Sequence, residues 1–184
     1  MQRLFLAIQP PPDIVERLTD LQWGVSRARW TSPDHLHVTV RFIGEVRHDE
    51  AATIRRTLDG VVGAPFSMRL GGVGHFPPRG RAKSLWAGVR SDDDLASLFA
   101  MRRHVDTALL SIGLARDGRK FAPHITLARL GHTPESQIVD WLSGRALFNS
   151  PSFEVNELVL MRSILRQEGS EYHVVARIPL LEKP

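Results

Sequence analysis

"HLHVTVRFIG", residues 35–44, decides how this chain is read. His35, His37 and Thr39 stand at every second position, with Leu36, Val38 and Val40 between them. Successive side chains of an extended strand point to opposite faces. The stretch therefore predicts a strand, closed by Gly44, with two dissimilar faces. One face is aliphatic and suited to packing against helices. The other carries two imidazoles, a hydroxyl and then Arg41, and is suited to lining an opening.

Outward from this strand, short strands and helices alternate. Residues 3–8 read as a strand, and residues 13–26 as an amphipathic helix through Ile14, Leu18, Leu21 and Trp23. Residues 48–58 read as a second helix, 66–76 as a strand with a glycine-rich bend, and 83–89 as another strand. A long helix is expected over 92–110, with acidic residues at its N-terminus where the helix dipole favours them. Residues 123–130 read as a strand and 134–142 as a short helix. Residues 152–165 and 172–180 read as two last strands, joined as a hairpin across "RQEGSE".

An internal echo links two of the strands. "LHVTVRF" and "PHITLAR" share the order histidine, β-branched apolar residue, threonine, apolar residue. A duplicated lobe with a rough two-fold relation accounts for it. Two such strands facing across a groove would bring His37, Thr39, His124 and Thr126 together.

Composition sets the bounds. The chain has 184 residues, 42% hydrophobic and 24% charged, which suits one domain over residues 1–184 or two tightly fused lobes. Cysteine is absent, so no disulfide forms, and a reducing, cytoplasmic setting is expected. The opening "MQRLFLAIQPPP" meets proline too soon for a signal peptide, and no apolar run reaches the length of a membrane helix. The net charge of +4 and pI near 10.3 are mildly basic, compatible with an anionic partner such as RNA or simply with a solvated surface. The His35/His37 spacing could suggest a metal pair, but no third ligand stands out, so no metal is expected. "GGVG" at 71–74 lacks the Lys-Ser/Thr of a P-loop, which leaves an ATP-dependent reaction unsupported.

Two histidines on facing strands suit one kind of chemistry. In-line cleavage of a phosphodiester requires a base on one side of phosphorus and an acid on the other. Imidazole, with an unperturbed pKa of about 6.5, exists in both forms near neutrality. The threonine two residues after each histidine shares its strand face, where a hydroxyl can hold a non-bridging oxygen. Arg41 would add positive charge. Phe5, Phe42 and Trp86 are candidate platforms for a base, although aromatics at such positions more often belong to a core.

The two H-x-T segments resemble the signature motifs of the two-histidine (2H) phosphoesterases. The branch resembled is the bacterial and archaeal RNA 2′,3′-cyclic phosphodiesterases, also called 2′-5′ RNA ligases. The likeness extends over "RLFLAI", "HLHVTVRFIGEV", "LWAGV", "FAPHITLARL" and "YHVVARIPL". It implies an α+β fold, a two-lobed pseudo-symmetric body with antiparallel sheets lining a central cleft and helices packed outside. It implies a metal-independent, cofactor-free hydrolase acting on RNA with 2′,3′-cyclic phosphate ends or on cyclic nucleotides, expected as a monomer and without membrane contact. His37 matches the general acid toward the leaving 3′ oxygen and His124 the general base on water; the residues alone do not separate these roles. Thr39 and Thr126 match the phosphate-binding threonines. Arg129 matches an arginine that contacts substrate phosphate in many relatives, yet strict alternation puts it on the face opposite His124. Two alternatives stay open: 2′-5′ ligation of tRNA-type RNA ends, and a non-catalytic RNA-binding module.

Overall fold

The computed structural model describes residues 1–59, 63–90, 93–166 and 169–181. The first strand shows how the molecule is layered. In β1 (Gln2–Ile8), Leu4, Leu6 and Ile8 enter the main hydrophobic core, while Phe5 and Ala7 join Val159 and Met161 in a small cluster on the other face. A strand buried on both faces reads as a continuous apolar run, and "LFLAI" is one.

The chain continues through α1 (Pro12–Thr19), β2 (Ala28–Trp30), a 3₁₀ turn (Pro33–His35), β3 (Val38–Val46), α2 (His48–Leu58), β4 (Phe66–Met68) and β5 (Leu70–Phe76). Then come β6 (Ser84–Val89), α3 (Asp93–Ser111), β7 (His124–Leu130), α4 (Glu135–Gly144), β8 (Phe153–Val155), β9 (Glu157–Arg166) and β10 (Gly169–Pro179). The main sheet is antiparallel and runs β10-β9-β1-β3-β7-β6-β5, with β2 also paired to β7. β4 and β8 form a separate two-stranded ribbon. The expected α+β class is thus what the chain adopts. The sheet divides into two halves of four strands, joined between β3 and β7 by one register pair, Val38 with Ile125.

The helices cover the face of Leu4, Leu6 and Ile8. Ile14 and Leu18 of α1, Ile54 and Leu58 of α2, Leu98, Val105 and Leu109 of α3, and Ile138 and Trp141 of α4 all enter that core. Truncating any of the fully buried leucines to alanine costs about 2–5 kcal/mol in such a setting. The opposite face of the sheet is left to form a cleft. Among the described residues no helix is long and apolar enough to cross a membrane.

Several expected boundaries shift. The helix expected over 13–26 ends at Thr19, because Gln22 turns inward to donate to the carbonyls of Thr31 and Leu127. Trp23 is left 67% exposed instead of on a buried helical face. The strand expected over 35–44 begins only at Val38, after the 3₁₀ turn, and runs on through Gly44 to Val46. The stretches 66–76 and 152–165 each break into two strands. The last two strands pair as a hairpin, but its tip at residues 167–168 and the start of the expected helix at residue 92 lie outside the described residues.

Two β-bulges govern which side chains reach the cleft. Along β3, Thr39 pairs with Ala7 and Arg41 with Leu6, so Val40 has no partner of its own. Along β7, Thr126 pairs with Trp86 and Ala128 with Leu85, so Leu127 is the extra residue. Each bulge falls just after the threonine of an H-x-T segment. An extra residue inverts the face of everything that follows it. β3 has a second irregularity after Phe42, where Leu4 meets Gly44. Gly44 adopts φ +94°, a conformation that L side chains rarely take.

Candidate active site

The antiparallel pair Val38–Ile125 sits where the two halves of the sheet meet, with both side chains buried in the core. One residue to either side, alternation turns His37, Thr39, His124 and Thr126 to the opposite face. Extending the ladder one step puts His37 across from Thr126 and Thr39 across from His124. The imidazoles then occupy one diagonal of a four-group square and the hydroxyls the other. Diagonal neighbours of this kind stand about 7–8 Å apart at the backbone, which leaves room for a phosphate between the rings. All four residues line one cleft of about 1130 Å³.

Both imidazoles are held alike. His37 Nδ1 lies 2.7 Å from the carbonyl oxygen of His35, and His124 Nδ1 lies 2.7 Å from that of Ala122. A carbonyl only accepts, so Nδ1 carries the hydrogen and donates. Nε2 is left as the unprotonated nitrogen of both neutral rings. Among the described residues neither threonine hydroxyl has a hydrogen-bond partner, which leaves both able to donate to a ligand.

Aromatic rings enclose each imidazole. Phe5 and Tyr172 stand 5.0 and 5.3 Å from His37, the tyrosine edge-on. Phe76 and Trp86 stand 4.8 and 6.2 Å from His124. Burial among these rings is the main reason that the His37 pKa falls to about 4; the neighbouring His35 and His124 charges lower it further, against the His35 carbonyl, which raises it. Burial also lowers His124, with a smaller contribution from the Arg129 charge.

The bulges decide the fate of the arginines. Past the β7 bulge, Leu127 and Ala128 are both fully buried and Arg129 returns to the cleft face, where it lines the cavity. The conflict between strict alternation and a phosphate contact is thereby removed. Past the β3 bulge the same inversion removes Arg41 from the cleft, which corrects its expected role as a phosphate ligand. Arg41 is 4% exposed, its Nε donates to Asp106 at 2.7 Å, and its other nitrogens donate to the Phe42 and Ala115 carbonyls. Arg102 shares Asp106 from the other side at 2.9 Å. A buried guanidinium with every edge occupied is a structural tie, not a free cation.

The expected base platforms divide. Phe42, turned outward by the bulge, is 45% exposed on the cleft. Phe5 is only 3% exposed, wedged between His37, Phe42 and Tyr172, and offers no open face to a base. Trp86 does not line the cavity. It lies against Gly74, at a distance that would exclude a Cβ there, and supports Phe76 at 5.4 Å. His35 lines the cleft with its ring 4.8 Å from Tyr172. Tyr172 and Phe76 escape sequence reasoning. Tyr172 is marked in the sequence only as the single tyrosine of the chain, and nothing in the sequence marks Phe76.

A family model described as the 2′-5′ RNA ligase superfamily matches residues 10–166. An RNA 2′,3′-cyclic phosphodiesterase of Archaeoglobus fulgidus is 31% identical over 174 residues, covering 92% of this chain and 96% of that protein. One from Geobacillus stearothermophilus is 34% identical over 163 residues, 84% of this chain; the chain spans about half of that relative, 48% of its length. A crystal structure from Thermus thermophilus aligns with a TM-score of 0.75 at 27% identity, over 99% of this chain and 100% of that one. The E. coli LigT structure complexed with 3′-AMP aligns with a TM-score of 0.75 at 24% identity, over 98% and 99% of the two chains, and agrees in fold. This chain belongs to the 2′-5′ RNA ligase superfamily, the two-histidine phosphoesterases.

Proposed function

We propose that this chain is an RNA 2′,3′-cyclic phosphodiesterase, which opens a terminal 2′,3′-cyclic phosphate to a 2′-phosphomonoester. The observation that carries the reading is the matched pair of imidazoles, each fixed through Nδ1 with Nε2 left for proton transfer, on the diagonal of one cleft. His124 Nε2 takes a proton from water as the water oxygen bonds to phosphorus. The P–O3′ bond breaks on the far side, and His37 Nε2 gives its proton to the departing 3′ oxygen. The P–O2′ bond survives, so the product is a 2′-phosphate with a 3′-hydroxyl. Thr39, Thr126 and Arg129 hold the non-bridging oxygens and offset the charge that develops there. This assignment of acid and base follows the family resemblance.

The lowered pKa values define what the substrate must do. With no anion beside them, both rings are neutral at pH 7. An anionic phosphodiester between them favours the charged form and raises both values. Substrate binding is therefore coupled to proton uptake, which arms His37 as the acid. The test is incubation of an oligoribonucleotide ending in a 2′,3′-cyclic phosphate. A 2′-phosphate end is the expected product. Recovery of a 3′-phosphate end would reverse the assigned leaving group, and no turnover of any cyclic-ended RNA would refute the proposal.

A further inference from the structure

The two halves of the cleft carry the same bulge but not the same residue after it. Two ladder steps separate Thr126 from Arg129, since their partners are Trp86 and Ser84. Two ladder steps likewise separate Thr39 from Phe42, since their partners are Ala7 and Phe5. Where one half presents Arg129, the other presents a phenyl ring. A guanidinium nevertheless occupies that place, supplied by the loop before β7: the Arg119 guanidinium carbon lies 4.3 Å from the centre of the Phe42 ring.

Arg119 is held in position. Its Nε and Nη2 donate to the two carboxylate oxygens of Asp117 at 2.9 and 3.4 Å. Asp117 is itself only 10% exposed and lies 3.9 Å from both Arg41 and Arg102. One face of Arg119 thus rests on Phe42 and one edge on Asp117. Its side chain is still 66% exposed, it lines the cleft, and among the described residues Nη1 has no hydrogen-bond partner. A guanidinium with a fixed plane and an open edge is suited to a phosphate oxygen.

Its distance from the imidazoles says which phosphate. The two ladder steps from Thr39 to Phe42 amount to about 7 Å, comparable to one nucleotide of an extended strand. Arg119 is therefore set back from the scissile phosphate. Phe42, on which it rests, belongs to the half of the sheet that carries His37, and Phe5 links the two, 6.1 Å from the Phe42 ring and 5.0 Å from the His37 ring. The ribose must lie on that side too, because its 3′ oxygen departs toward His37.

We propose that Arg119, stacked on Phe42, binds the 5′-phosphate of the nucleotide that bears the cyclic phosphate, making the enzyme selective for chain ends over free cyclic nucleosides. This rests on the phosphodiesterase reading above. The test compares adenosine 2′,3′-cyclic phosphate carrying a 5′-hydroxyl with the same compound carrying a 5′-methylphosphate diester. The diester has the charge of an internucleotide link without a second base. The wild-type protein is expected to favour the diester by about tenfold in kcat/KM, the size of one hydrogen bond to a charged group. Arg119→Ala should bring that ratio close to one, and Arg119→Lys should give an intermediate value. A wild-type ratio near one, or a ratio unchanged in Arg119→Ala, would overturn the proposal. If neither compound is hydrolysed, the phosphodiesterase reading fails. The subsite is then decided by equilibrium binding of adenosine 2′-monophosphate with a 5′-hydroxyl or a 5′-methylphosphate: the same ratio and its loss in Arg119→Ala support it, and equal binding overturns it.

Discussion

His37 and His124 share one tether and differ in their surroundings. Each donates from Nδ1 to a carbonyl two residues upstream, so ring orientation and tautomer come from the local backbone alone. Burial beside Phe5 and Tyr172 lowers His37 to about 4, and burial beside Phe76 and Trp86 also lowers His124. Both values lie below the free imidazole value, and kcat/KM reports the unliganded protein. The kcat/KM profile is therefore expected to be bell-shaped, with its maximum below about pH 6.5 and falling activity as pH rises above that. The profile of kcat reports the complex, in which the bound anion raises both values, so its maximum should lie at higher pH. Initial rates across pH 4–9 at limiting and saturating substrate check both. A kcat/KM maximum above about pH 7.5 would contradict the depressed values. The limbs belong to the coupled pair and not to single residues.

At the scale of the strand, the paired bulges of β3 and β7 explain what could and could not be read from the sequence. His37, Thr39, His124 and Thr126 precede the bulges, so alternation set them on one face correctly. Arg41, Phe42 and Arg129 follow the bulges, so the same rule inverted them. Nothing in "VR" or "LA" marks an extra residue in a ladder; Ala7–Thr39 and Trp86–Thr126 pairing reveals it. Tyr172 and Phe76 were hidden for a different reason, since the order of strands in the sheet brings them to the histidines. A prediction follows for the displaced Arg41. Asp106 bridges Arg41 and Arg102, which are 4% and 7% exposed. Asp106→Ala removes the carboxylate shared by two buried guanidinium groups and should cost about 3 kcal/mol in urea denaturation, more than Arg41→Met, which leaves Asp106 paired with Arg102. In steady-state assays Arg41→Met should raise KM less than Arg129→Ala does. The reverse order would return Arg41 to the phosphate.

Across the whole molecule, the helices close one face of the sheet and leave the other to chemistry. The halves meet at Val38 and Ile125, and the rough two-fold relation there sets His37 and His124 on one diagonal of the cleft, which in the proposed mechanism places acid and base on opposite sides of phosphorus. Acid, base and phosphate ligands are then all side chains, so hydrolysis should withstand EDTA. Complete loss on chelation, restored by zinc or manganese, would call for a different mechanism. Catalysis of this kind requires the two imidazoles to act together. The most direct measurement is the rate of opening of a 2′,3′-cyclic phosphate RNA end by the wild type, His37→Ala, His124→Ala, the double variant and, as a control, His35→Ala. Each single catalytic variant should lose roughly 10²–10⁴-fold, the double variant little more than either, and His35→Ala far less. Retention of activity within about tenfold by either His37→Ala or His124→Ala, or a loss in His35→Ala as large as theirs, would contradict acid–base catalysis by this pair.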